Sequence, residues 1–197
     1  LGSLGISDQD MKLSTTTKDI DSIVKCATAV IQLNSYLICP DPSRAMGLAA
    51  HTDSTLFTIL YQNNISGLRE NTGWVTVQPL EDGLVINIGD LMQILSNGLY
   101  PSVYHRDMVN KIRHRYSVAY LYGPSTGARI QPISKLIDAS NPPLYGHVTW
   151  REYLELKGKH FHKALSLVKL NNNVNIGPNM VESINIDSES KALPAFG

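Results

Sequence analysis

The chain is broken into short runs of β-branched and aromatic residues, separated by clusters of Gly, Pro and Asn, and this punctuation limits the folds open to it. Strands are expected over 29–38, 51–60, 74–77, 84–88, 102–109, 113–122 and 128–132, where such side chains concentrate between turn residues. Cys39-Pro40-Asp41-Pro42 closes the first run, because two prolines remove ladder donors and fix the backbone. Leu84-Val85-Ile86-Asn87-Ile88 is short enough to be a buried strand and is closed by Gly89-Asp90. Leu91 to Leu95 offers one helical turn, and a single long helix is expected further on. It starts at the capping box Thr149-Trp150-Arg151-Glu152 and runs to about Val168, with Trp150, Tyr153, Leu154, Phe161, Ala164, Leu165 and Val168 as its apolar stripe. A series of this kind fits a mainly β chain, a sandwich or a barrel.

Composition narrows the partners. A chain of 197 residues with 43% hydrophobic and 17% charged residues supports one domain with a true core. Lys and Arg number 17, Asp and Glu 17, and no basic cluster interleaved with aromatics appears, which argues against nucleic acid and anionic membrane surfaces. A small molecule is the expected partner. Apolar runs are strand-sized, and the two cysteines, Cys26 and Cys39, form no Cys-x-x-Cys pair, so a reducing, cytoplasmic setting is expected. The chain opens at Leu1 rather than Met.

The chemistry is concentrated in a few positions. His51 and Asp53, two apart and followed by the apolar run Leu56 to Leu60, would point the same way on a strand and could grip one ion. The pair is weak by itself, since most such pairs are turn or surface residues. Two histidines and one carboxylate on one side of a metal select Fe(II) and leave positions open for oxygen chemistry, and His105 is the candidate third ligand. Arg115, Ser117 and Ala119 share one face of a strand; an inward arginine beside a hydroxyl calls for an anion, and a dicarboxylate suits its planar guanidinium. Tyr36, with Asn34 on the same face, could reach that molecule from a neighbouring strand, although a strand tyrosine is as readily a core residue with a bonded hydroxyl. His160 and His162 lie roughly 200° apart on a helix and cannot share an ion. His114 faces away from Arg115, His147 sits in a loop, and Asp90, Gln93, Ser96, Asn97 and Gly98 are expected to shape the turn before the His105 strand.

Taken together, Leu33-Asn34-Ser35-Tyr36, His51-Thr52-Asp53, the run from Gly89 to Gly98, His105-Arg106 and Arg115-Tyr116-Ser117 resemble the plant 2-oxoglutarate and Fe(II)-dependent dioxygenases. Within that family the chain looks most like the members that hydroxylate gibberellins at the 3β position, on the strength of Leu1 to Ser7, Cys39 to Ser54 and Val118 to Pro124. The resemblance covers Leu1 to Leu170. It implies a double-stranded β-helix, a cupin-like jelly roll with a C-terminal helix, from which the amino-terminal helical region of the family is largely absent. It implies that His51, Asp53 and His105 hold Fe(II), that Arg115 and Ser117 bind the distal carboxylate of 2-oxoglutarate, and that Tyr36, with Asn34, binds its metal-proximal end. His51, Asp53, His105 and Arg115 are then the catalytic set, O2 is the second cosubstrate and ascorbate the reductant. The implied reaction is oxidative decarboxylation of 2-oxoglutarate to succinate and CO2, with an Fe(IV)-oxo oxidant that takes hydrogen from an unactivated C–H bond and returns hydroxyl. The implied substrate is a gibberellin, a diterpenoid carboxylic acid and plant hormone. The same chemistry on another gibberellin position or on a flavonoid is the alternative, and a non-catalytic truncated fragment is the second. The expected organisation is an amino-terminal remnant and loop over 1–26, the dioxygenase core over 27–125, a final strand and C-terminal helix over 126–170, and a disordered tail over 171–197, in a monomer.

Overall fold

The computed structural model describes residues 27–170; the expected amino-terminal remnant and carboxy-terminal tail lie outside the described residues. In chain order the elements are β1 (Thr28–Tyr36), β2 (Leu48–His51), β3 (Phe57–Gln62), β4 (Leu68–Glu70), β5 (Val75–Thr76), β6 (Leu84–Ile88), α1 (Asp90–Leu95), β7 (His105–Asp107), β8 (Arg115–Gly123) and β9 (Arg129–Ile130). A 3-10 turn (Ser134–Leu136), β10 (Val148–Thr149), α2 (Trp150–His160), a second 3-10 turn (Phe161–Lys163) and α3 (Ala164–Leu167) follow.

Two four-stranded sheets, ordered β1-β8-β3-β6 and β2-β7-β4-β5, form the body, with β9 and β10 paired to one side. Every ladder is antiparallel. This is the mainly β jelly roll with a C-terminal helix that the resemblance implies. Residues along β8 alternate, so Arg115, Ser117 and Ala119 are buried while Tyr116 and Tyr120 are exposed. Leu60, Leu68 and Ala119, from β3, β4 and β8, form an apolar cluster. A larger core closes one end, where Leu91, Ile94, Ile130, Trp150, Tyr153 and Ala164 come together. Full burial of side chains of this size contributes roughly 1.5–3 kcal/mol each. Gly123 belongs to this junction: a Cβ there would run into the Trp150 ring.

Several elements differ from expectation. β1 ends at Tyr36 rather than Ile38, and β7 is limited to three residues of the run 102–109, with Tyr104 O accepting from the Asn71 N–H and the Met108 N–H donating to Gly67 O just beyond its ends. β6 is an edge strand with Leu84 and Ile86 exposed, not a buried one. The run from His51 to Leu60 is not one strand: β2 ends at His51, and residues 52–56 cross to β3. The long helix is divided. Its capping box forms, with the Thr149 side chain accepting from the Glu152 N–H and the Glu152 carboxylate accepting from Thr149, but α2 stops at His160. Gly158-Lys159-His160 supplies no apolar anchor, and Phe161 takes φ 47°, ending 70% exposed instead of on the stripe. The turn resets the phase so that Ala164 enters the core.

Candidate functional site

His51 is the last residue of β2 and stands directly opposite His105, the first residue of β7. Asp53 follows in the crossing segment, and three interactions clamp that segment. The Asp90 N–H donates to the Asp53 carbonyl at 2.8 Å, the Leu91 N–H to Thr55 O at 3.1 Å, and the Trp150 indole N–H to Ser54 O at 2.7 Å. The start of α1 and the start of α2 thus fix the position of a carboxylate that no strand ladder holds.

One ligand atom from each of His51, Asp53 and His105 lies within 4.8 Å of the other two. Asp53 Oδ1 is 3.5 Å from His51 Nε2 and 3.7 Å from His105 Nε2. Both histidines place Nδ1 against a carbonyl two residues back, His51 on Ala49 O at 2.8 Å and His105 on Val103 O at 3.0 Å. A carbonyl only accepts, so each Nδ1 carries the proton and each Nε2 keeps its lone pair for a cation. Burial disfavours a charged His51, but the Asp53 carboxylate and the Ala49 carbonyl outweigh it and hold the imidazole above its ordinary value. Burial acts the opposite way on Asp53, yet His51 and His105 prevail and hold its carboxyl below the ordinary range. Asp53 Oδ2 is buried with no hydrogen-bond partner. Two imidazoles whose Nε2 atoms face the same carboxylate, and a carboxylate oxygen left without a hydrogen-bond partner, form a donor set that fits a divalent cation such as Fe(II), which would take the proton's place at Nε2.

Beneath this group lies a second network. Asp90, fully buried, accepts from Tyr153 Oη at 2.7 Å, from Thr52 Oγ1 at 3.0 Å and from Lys157 Nζ at 2.6 Å; Lys157 also donates to Thr52 Oγ1. Burial, first, and the Asp90 charge push the Tyr153 phenol far above its usual value, so it stays a donor. Gln93 serves the turn before β7 as expected, whereas Asn97 ties that turn to the segment before β10. The Gln93 carboxamide accepts from the Ser102 N–H at 2.6 Å, and Asn97 accepts from the Leu144 N–H at 2.7 Å.

On the neighbouring sheet, β1 and β8 set Tyr36 opposite Arg115 and Asn34 opposite Ser117. Asn34 Nδ2 donates to Ser117 Oγ at 3.3 Å. Arg115 is 0% exposed, lies 5.0 Å from the Tyr36 ring and donates through Nη2 to Gln62 Oε1 at 3.0 Å. Its Nη1 is 2.8 Å from Asp107 Oδ1, a charge contact not aligned as a hydrogen bond, and its Nε has no hydrogen-bond acceptor. Tyr36 Oη donates to Asp107 Oδ2 at 2.9 Å and β1 pairs Tyr36 with Arg115, so the phenol stands at the Arg115 end of the site and not at the metal-proximal end that the resemblance implies. The cleft between the sheets is lined by Asn34, His51, Asp53, His105 and Asp107 among others. His114 bonds Ser35 at the surface, and His147, His160 and His162 are exposed, all apart from this cleft.

Asp107, Gln62 and Lys157 are functional neighbours that the sequence reading missed. Asp107 could have been found by extending the period-two argument from His105, since residues two apart on a strand share a face. Gln62 required the β3–β8 register, and Lys157 a tertiary contact that no local pattern encodes.

Residues 27–124 match the family model described as the 2OG-Fe(II) oxygenase superfamily. Gibberellin 3-beta-dioxygenase 1 of Pisum sativum is 58% identical over 173 residues, which is 86% of this chain and 45% of the relative. Gibberellin 3-beta-dioxygenase 1 of Arabidopsis thaliana is 53% identical over 172 residues, 86% of this chain and 47% of the relative. The chain therefore spans about half the length of the curated relatives it matches. Among solved structures, JOX2 in complex with 2OG, Fe and JA superposes with a TM-score of 0.73 at 31% identity, covering 86% of this chain and 50% of that one. The dioxygenase for auxin oxidation in rice gives 0.66 at 26% identity, covering 72% and 51%. Among the described residues no helix is long and apolar enough to cross a membrane.

Proposed function

Residues 27–124 place this chain in the 2OG-Fe(II) oxygenase superfamily, and from that premise we propose that it carries the catalytic core of a 2-oxoglutarate-dependent dioxygenase that hydroxylates a gibberellin at the 3β position. The observation that carries the reading is the convergence of His51, Asp53 and His105 in a cleft backed by the buried guanidinium of Arg115. The substrate and position rest on the relatives from pea and Arabidopsis, whose names state them.

His51, Asp53 and His105 would hold Fe(II) through two Nε2 atoms and a carboxylate. Bound there, the metal supplies activation of O2 coupled to decarboxylation of 2-oxoglutarate. The chain's own contribution is placement. Hydrogen bonds to Ala49 O and Val103 O fix both imidazole tautomers, and the α1 and α2 clamps fix Asp53, so the ligands are set before the metal arrives. Arg115 and Ser117 would bind the distal carboxylate of 2-oxoglutarate, with Tyr36 closing the same end and Asn34 along the cleft wall. Depth favours this arrangement, because a guanidinium shielded from water binds an anion more strongly than one at the surface.

The test is turnover. Fe(II)-loaded chain incubated with 2-oxoglutarate, O2, ascorbate and a gibberellin precursor should yield succinate and a 3β-hydroxylated product in equal amounts. A product oxidised at another carbon would reassign the regiochemistry. A folded, iron-bound sample that forms neither succinate nor product would overturn the enzyme reading.

A further inference from the structure

Arg115 already faces a carboxylate, and it belongs to the chain itself. Asp107 is two residues beyond His105 on β7, so both side chains project to the same side. Asp107 is 6% exposed and lines the cleft with the three candidate ligands, whereas Arg115 lies behind it, fully buried. One carboxylate oxygen stands 2.8 Å from Arg115 Nη1 and the other accepts from Tyr36 Oη at 2.9 Å. These are the groups that the proposed reading gives to the cosubstrate. A molecule entering the cleft meets the Asp107 carboxylate before it meets the guanidinium.

We propose that Asp107 is an internal competitor for the cosubstrate anchor, so that 2-oxoglutarate binds only by displacing the Asp107 carboxylate from Arg115 and Tyr36. The inference rests on the 2-oxoglutarate reading of the cleft. The internal pair is poorly made: its ion contact is not aligned as a hydrogen bond, and Arg115 Nε has no hydrogen-bond acceptor. A planar guanidinium offers a forked pair of donors to an anion, and a free dicarboxylate can take both where the tethered one takes neither well. Displacement has a cost, because the Asp107 charge must then sit in a confined cleft beside a second anion. The result is a chain that responds to 2-oxoglutarate at higher concentrations than an otherwise identical chain with a neutral residue 107. The opposite role, a positioning residue that holds Arg115 in place for the ligand, predicts the reverse.

The experiment is equilibrium binding rather than turnover. Mn(II)-loaded wild type, Asp107→Asn, Asp107→Ala and Arg115→Leu are titrated with 2-oxoglutarate and, separately, with its oxalylglycine analogue by calorimetry, after circular dichroism and Mn(II) binding establish the fold. Competition predicts that both Asp107 variants bind both ligands more tightly than wild type, by about tenfold or more. Asp107→Asn keeps the shape of the side chain, so it decides the question if Asp107→Ala fails to fold. Unchanged or weaker binding in folded Asp107→Asn overturns the proposal. When that occurs while Arg115→Leu abolishes binding, the cosubstrate reading stands and only the competition fails. Binding that survives Arg115→Leu undiminished overturns both.

Discussion

A single hydrogen in place of a side chain decides how Arg115 sits. A Cβ on Gly67 would lie 2.7 Å from Arg115 Cδ, 3.0 Å from its Nε and 2.8 Å from the Met108 carbonyl. The guanidinium stem therefore passes over bare backbone, and Gly67→Ala must push either the stem or β7 aside. The expected outcome is a loss of about 1–3 kcal/mol of stability from overpacking, read by urea unfolding, together with weaker 2-oxoglutarate binding by calorimetry. Asp53 governs the other half of the site. Its carboxylate lies within reach of both Nε2 atoms, and Asp53→Ala removes the only anionic member of the three candidate ligands. Mn(II) affinity should fall on the order of a hundredfold or more, measured by competition with a metal-binding dye, while far-ultraviolet circular dichroism stays native.

At the scale of elements, α2 does two jobs. Its capping box fixes the entry of the helix, and Trp150, Tyr153 and Lys157 reach across to Ser54 and Asp90 under the candidate ligands. Thr149→Ala should cost about 1 kcal/mol in thermal or urea unfolding. The box also carries a pH signature. The Thr149 N–H, first, and its hydroxyl hold Glu152 below the usual carboxylate range. A carboxyl depressed in the folded state contributes stability above its unfolded value, and that contribution is lost as pH falls through the folded value. Wild type should thus lose part of its advantage over Thr149→Ala as the pH drops below about 4, seen by comparing the two melting curves across pH. Asp90→Ala removes the acceptor of three side chains and leaves Lys157 beside a buried void. A loss of ~3 kcal/mol is expected by urea unfolding, near the lower end for a broken buried pair because Lys157 keeps some solvent. The sequence made some of this visible. Strand alternation put Arg115, Ser117 and Ala119 on one face because a period of two survives any tertiary context. It overreached at His51 and Asp53, which meet because helices α1 and α2 clamp a crossing segment, not because a strand carries both. It also ran the helix past His160, since apolar spacing alone cannot register that Gly158 to His160 have nothing to pack against. Asp107 stayed hidden for a different reason: in His105-Arg106-Asp107 an acidic residue after a basic one looks like solvated surface until the register sets it against Arg115.

For the molecule as a whole, the sheet β1-β8-β3-β6 has its polarity the unusual way round. Its inner face carries the site residues Asn34, Gln62, Arg115 and Ser117, while its outer face is apolar across all four strands. Register aligns Ile31, Tyr120, Ile59 and Ile86 in one row and Leu33, Val118, Tyr61 and Leu84 in the next. Leu33 is 77%, Ile31 65% and Ile86 59% exposed, and β1 and β6 are the edges of this sheet. An antiparallel sheet ordinarily turns a polar face to water, and a contiguous apolar patch of this extent on that face is uncommon in a monomer that stands alone. Placing charge on this face should change surface behaviour without touching the cleft, because side chains of opposite strand parity never share a face. The wild-type chain should therefore bind a hydrophobic dye such as anilinonaphthalene sulfonate in its folded state. Leu33→Lys combined with Ile86→Lys should reduce that fluorescence while leaving Mn(II) affinity unchanged, both measured on the same samples below the unfolding transition.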